Sequence, residues 1–189
     1  MQKLVLVGAS TGGPGHLDKL FKALPTGFGA PVVVAQHINI QFLPTLCESL
    51  SSVSHIGVQM AQASSGLENR GYLTHRDVNR FVLENERLSL GRSIPCGDHA
   101  PSVDELFLSA AKLLKADFQV LAVLLTGIGQ DGAEGLLALK NAGAETLAES
   151  EKTAIVYGMP RAAYELGAVD RPSDLGDIIA AICAFGGTR

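Results

Sequence analysis

The sequence predicts an α/β fold, a doubly wound, mainly parallel, Rossmann-like sheet flanked by helices and carrying a small hairpin insertion. Three observations predict it. Short apolar runs rich in β-branched residues, too short for helices, read as strands buried on both faces. Segments of helical period follow them, which is the alternation of a parallel sheet. Several of the runs end directly in glycine or polar loops, where such sheets place their ligands.

Residues 4–7 (LVLV) form the first buried strand. From residue 14 to 24, Leu17, Leu20, Phe21 and Leu24 recur at helical spacing, with Pro14 suited to a helix's first turn. Residues 31–35 (PVVVA) are the second strand and 42–50 the second helix. The middle changes character. Residues 57–60, 72–73, 81–83 and 87–90 are short strand-like pieces between turn residues, expected to form the inserted strand-and-hairpin section. A helix then opens near Ser102, which with Glu105 makes a capping box, and Val103, Leu106, Phe107, Ala110, Ala111 and Leu114 share its apolar face. Residues 120–125 (VLAVLL) are the strongest strand and run into TGIGQDG. A helix over 133–141 stops before Gly143, a strand covers 146–148, and helices cover 160–166 and 175–185. With no repeats or linker, residues 1–189 are expected to be a single domain.

Composition narrows the function classes. The chain is 47% hydrophobic and 18% charged with a formal net charge of −4, an ordinary globular balance. No cluster of Lys or Arg suggests a nucleic-acid or anionic-lipid partner. No apolar run is long enough to insert in a membrane, and no leader is expected before the first strand. Three cysteines, Cys47, Cys96 and Cys183, have no CxxC spacing, which fits a reducing cytoplasm and argues against a cysteine metal site.

The strand-end loops carry the chemistry. After the first strand comes GASTGG, after the second Gln36-His37, and after the VLAVLL strand TGIGQDG. They supply Ser10, His37 and Asp131, the residue types of a hydrolytic triad. Gly8-Ala9-Ser10-Thr11-Gly12 fits G-x-S-x-G, in which small neighbours permit a sharp turn that bares the hydroxyl. His37 would take the serine proton, and Asp131 would orient the imidazole. Main-chain N–H groups near Thr11 and Ile128 would face the oxyanion. Taken singly, the residues admit plainer readings. His37 would serve as a hydrogen-bonded structural histidine, and Asp131 as the N-cap of the following helix. His16, His55, His75 and His99 have no ligand spacing and read as surface or structural residues. A binding protein without turnover is a further reading.

A nucleotide- or phosphate-binding module is the competing class. GASTGGPG is neither G-x-G-x-x-G nor a P-loop, since no G-K-[ST] follows. The place of a ribose-binding acid, at the end of the second strand, is taken by Gln36-His37.

Five ordered segments, spread from residue 7 to residue 163, resemble one family, the catalytic domain of the bacterial chemotaxis methylesterase CheB. VGASTGGPGHL resembles its nucleophile segment and VVVAQHI its histidine segment. PSVDELFLSAAK resembles the middle helix, VLLTGIGQDGAEGL the aspartate loop and AIVYGMPRAA the later helix start. The resemblance implies hydrolysis of glutamate γ-methyl esters on the cytoplasmic helices of methyl-accepting chemoreceptors, with release of methanol, and deamidation of receptor glutamines. It implies Ser10 as nucleophile, His37 as base and Asp131 as orienting acid, with Thr11 beside the nucleophile and an oxyanion amide at Ile128, where the family usually has Met. No metal or cofactor is implied. Two stretches depart from the family pattern. Thr74-His75-Arg76-Asp77-Val78-Asn79 keeps only the aspartate of A-P-G-D-x-H, and His99-Ala100 stands where an Arg is usual. Both are expected to border the receptor-binding face. The receiver domain that normally begins the family is expected to be absent from this chain.

Overall fold

The computed structural model describes residues 2–94, 99–115 and 117–187; Cys96 lies outside them. Among the described residues, eight strands and six α-helices follow in the order β1 (Gln2–Ala9), α1 (Gly13–Ala23), β2 (Val32–Gln36), α2 (Leu43–Val53), β3 (Val58–Met60), β4 (Gly71–Leu73), β5 (Val78–Glu84), β6 (Arg87–Arg92), α3 (Val103–Ala111), β7 (Phe118–Leu124), α4 (Ala133–Asn141), β8 (Glu145–Ala148), α5 (Met159–Glu165) and α6 (Leu175–Gly186). Six strands form one sheet in the order β3-β4-β2-β1-β7-β8, and every pair in it is parallel. The chain winds outward from β1 in one direction through β2 and in the other through β7, which is the doubly wound plan.

Side chains along a strand alternate between faces, so each central strand serves two cores. Leu4, Leu6, Val33, Ala35, Ala122 and Leu124 pack with Val103, Leu106 and Phe107 of α3 and Leu136 and Leu139 of α4. Val5, Val7, Val32, Val34, Leu121 and Val123 pack with Leu17, Leu20 and Phe21 of α1, Leu50 of α2 and Ile178 and Ile182 of α6. Burial on both faces explains why these strands read as continuous apolar runs.

The middle section differs from the expected separate insertion. Residues 57–60 and 72–73 do not join the hairpin; β3 and β4 are parallel strands of the main sheet. Each is three residues long, too short to show a strand period in sequence. Only β5 and β6 form the antiparallel hairpin, turning at Asn85 and Glu86, whose φ of 49° and 64° match the twist of a two-residue hairpin loop. The hairpin leans on α3, where Ser109 Oγ accepts the Phe81 N–H at 2.9 Å.

Candidate active site

Three strand ends converge. Ala9 pairs with Gln36 and Gly8 with Leu124. Just beyond, the Ser10 N–H donates to Thr126 O and the His37 N–H to Ala9 O, each at 2.9 Å. Ser10 thus lies between the ends of β2 and β7. Gly8 faces α3, since a Cβ there would stand 2.3 Å from Val103 Cγ1. Ala35 lies in the same core. Alternation therefore carries Ser10 and His37, each two residues on, toward the N-terminus of α3.

Asp131 waits there. Its Oδ2 accepts His37 Nε2–H and Val103 N–H, both at 2.7 Å, and its Oδ1 accepts Asp104 N–H at 2.9 Å and Ser102 Oγ–H at 3.0 Å. The carboxylate thus caps the positive end of α3 and orients His37 at the same time. Burial raises its pKa, but the His37 bond and the Asp104 and Val103 amides outweigh burial and hold it down to about 2. A carboxyl whose folded pKa is depressed contributes stability above its unfolded value and loses it as pH falls through the folded one. For Asp131 that window runs from 3.8 to about 2. In urea melts at pH 5 and pH 2, the wild type is expected to lose about 2 kcal/mol that Asp131→Asn does not lose.

His37 spends Nε2 on Asp131, which leaves Nδ1 for the serine side. Among the described residues neither Nδ1 nor Ser10 Oγ has a hydrogen-bond partner. Of the expected Ser10–His37–Asp131 chain, the structure closes the second link and places the first two residues on adjacent strand ends without a bond between them. His99, read as surface or structural, stacks on His37 with ring centroids 4.4 Å apart and planes 12° apart.

Gln36 ties the two loops together. Its Nε2 donates to Ser10 O at 2.8 Å and to His37 O at 3.0 Å, while the residue is 2% exposed. This accounts for one glycine of GASTGG: a Cβ on Gly13 would lie 2.0 Å from Gln36 Oε1 and 2.9 Å from Ala9 Cβ. Gly13→Ala is expected to cost about 1–3 kcal/mol in denaturant melts, because the clamped amide cannot swing away without breaking both bonds. Gly127 does the same for the nucleophile, since a Cβ there would stand 2.7 Å from Ser10 Cβ and 2.3 Å from Met159 Sδ.

Thr11 and Ile128 flank the serine from two loops. Thr11 is exposed and Ile128 is 63% exposed. Among the described residues the N–H groups of both lack a bonded acceptor. Two amides left unbonded in this way suit an oxyanion.

Other expectations change. Asp131 does cap a helix, but α3 rather than the one that follows it; the N-cap of α4 is Gly132, with no side-chain cap bond. The capping box is half formed. Ser102 Oγ accepts Glu105 N–H at 3.2 Å, whereas the Glu105 carboxylate accepts from Asn79, Ser93 and Ile94. Within residues 74–79, Thr74 and Asn79 are fully buried and do not form a docking face. Asn79 Nδ2 donates to Ser102 O at 2.7 Å and Thr74 Oγ1 to Asn79 Oδ1 at 2.7 Å, so this stretch braces the helix end that holds Asp131. Arg76 and Asp77 alone face outward there. Sequence reasoning missed the Gln36 clamp, although a polar residue closing an apolar strand signalled it. It also missed Glu149, which follows β8 at the same sheet edge.

The family description CheB methylesterase matches residues 5–182. A protein-glutamate methylesterase/protein-glutamine glutaminase of Anaeromyxobacter dehalogenans is 41% identical over 97% of this chain and 54% of its own length. A like-named protein of Carboxydothermus hydrogenoformans is 37% identical over 97% of this chain and 55% of its own. The chain thus spans about half the length of the curated relatives it matches. The crystal structure of the Thermotoga maritima CheB methylesterase catalytic domain superposes with a TM-score of 0.89 at 31% identity, covering 97% of this chain and 98% of that one. In sequence, fold and extent, the chain belongs to the CheB methylesterase family.

Proposed function

We propose that this chain is a protein-glutamate methylesterase and protein-glutamine glutaminase domain that works through Ser10, His37 and Asp131 on the cytoplasmic helices of chemoreceptors. The observation that carries the reading is the His37–Asp131 bond of 2.7 Å beside the unbonded Ser10 hydroxyl.

Ser10 Oγ attacks the ester carbonyl carbon while its proton passes to His37 Nδ1. The resulting oxyanion accepts the Thr11 and Ile128 N–H groups. Collapse breaks the acyl–oxygen bond, and His37 returns the proton to the departing methoxide, which leaves as methanol. Water, deprotonated by His37, then attacks the Ser10 ester and frees the glutamate carboxylate and the serine. With a glutamine substrate ammonia leaves in place of methanol. Asp131, held ionised, stabilises the imidazolium formed in each half. The reaction as written needs no metal or cofactor.

Ile40, Phe42, Ile128 and Ile155 are exposed on loops beyond the C-terminal ends of β2, β7 and β8. A rim of this kind suits a helix surface better than a small molecule. No described helix is long and apolar enough to cross a membrane, and a cytoplasmic setting follows from the proposed substrate. A nucleotide is disfavoured because Gln36 fills the space that Gly13 leaves. Incubating the chain with a methylated receptor fragment is expected to release methanol, and a panel of nucleotides to leave its melting temperature unchanged. Absence of methanol together with a nucleotide-induced shift would reverse the assignment.

A further inference from the structure

A second histidine–carboxylate pair lies behind the nucleophile loop. Glu149 is 0% exposed and His16, in the first turn of α1, is 4% exposed. Glu149 Oε1 accepts from His16 Nε2 and Thr153 Oγ1, each at 2.8 Å. Its Oε2 accepts the Thr126 N–H at 2.8 Å. All three partners donate, which suits an acceptor-only carboxylate. Burying such a group is costly unless its bonds are fixed, so the carboxylate locks what it touches.

What it touches is the hub of the site. Thr126 is fully buried. Its carbonyl accepts the Ser10 N–H at 2.9 Å, its Oγ1 donates to Thr11 O at 2.8 Å, and the same Oγ1 accepts Val156 N–H at 2.9 Å. Gly127 N–H then reaches Val156 O at 3.0 Å. One residue therefore ties the Ser10–Thr11 turn to the start of the loop that carries Ile128. Thr126 is anchored in turn by Glu149, just past β8, and Glu149 is held by His16 of α1.

We propose that Glu149 and His16 are positioning residues that hold Thr126, and through it set the spacing between the Thr11 and Ile128 amides and Ser10 Oγ. The inference rests on the hydrolase reading above. It assigns these two residues no contact with substrate. It predicts that loosening the pair lowers the rate of attack and leaves substrate affinity in place, since a shift of about 1 Å in such a site costs on the order of 100-fold.

The test is the rate at which a fluorophosphonate labels Ser10 in the full chain. The serine oxygen displaces fluoride from phosphorus, and the phosphoryl oxygen occupies the oxyanion position. Glu149→Leu is expected to slow labelling by at least about tenfold and to lower kcat on methylated receptor equally, with KM within about twofold. Glu149→Gln is expected to recover to within about threefold. Its oxygen still accepts Thr126 N–H, and its amide can donate to the other His16 tautomer. A folded Glu149→Leu that labels at the wild-type rate overturns the inference, as does a Gln variant that loses as much as Leu. Should Glu149→Leu not fold, Thr126→Val decides. It removes the bond to Thr11 O, and the inference expects a comparable slowing, whereas an unchanged rate overturns it. Wild-type labelling without methanol release sinks the substrate reading alone and leaves the labelling rates to judge the pair. A wild type that does not label at all overturns both.

Discussion

Asp131→Asn is expected to cut methyl-ester turnover on the order of 10,000-fold in a chain that still folds. The reason lies in the four donors that converge on this carboxylate. An asparagine offers one oxygen and one NH2 group to the same four positions. If the NH2 faces His37, the imidazole must accept at Nε2 and carry its proton on Nδ1, the atom that would receive the serine proton. Whether it faces His37 and Val103 N–H or Asp104 N–H and Ser102, one helix amide loses its acceptor, at a cost of about 1–3 kcal/mol. In either case the negative charge that favours imidazolium is gone. Thermal unfolding measured beside methanol release separates the two costs; a variant that keeps wild-type turnover would remove Asp131 from the mechanism.

Ser10→Ala is expected to be the more severe change in rate and the milder one in stability. Turnover should fall on the order of a million-fold, because the hydroxyl that would carry the acyl group is removed. The fold should be untouched. The Ser10 bonds that matter to it are main-chain ones, its N–H to Thr126 O and its carbonyl from Gln36 and Gly13. Its hydroxyl has no partner among the described residues, so alanine leaves no buried group unsatisfied. Melting temperatures within about 2 °C of the wild type, with methanol release at background, are the expected pair of results.

Much of this architecture was legible in the residues, for identifiable reasons. Runs such as LVLV, VVVA and VLAVLL mark strands buried on two faces, and helices such as 133–141 carry their own start and stop signals. The placing of Ser10 and His37 on adjacent strand ends followed from where those strands end. The short parallel strands β3 and β4 were not legible, because three residues carry no period and their pairing is decided by distant partners. Asp131 was read correctly as to residue type, yet its helix is the one 28 residues earlier in the chain. Capping across that separation leaves no local trace. The Gln36 clamp, the His99 stack and the Glu149–His16 pair share this property. Each joins segments that approach only once the sheet is assembled.

GASTGG takes its meaning from the same contacts. Gly13 makes room for the amide that fastens Ser10 to His37, while the space around Ser10 itself comes from Gly127, in a different loop.

The central claim is that Ser10 carries the acyl group of a glutamyl methyl ester. Rapid quenching of the chain with a methyl-esterified receptor peptide, followed by mass analysis of its digest, tests that directly. A covalent peptide adduct on the Ser10 fragment is expected, formed in step with methanol release and absent from Ser10→Ala. Methanol release at an undiminished rate by Ser10→Ala, or an adduct on a different residue, would contradict it.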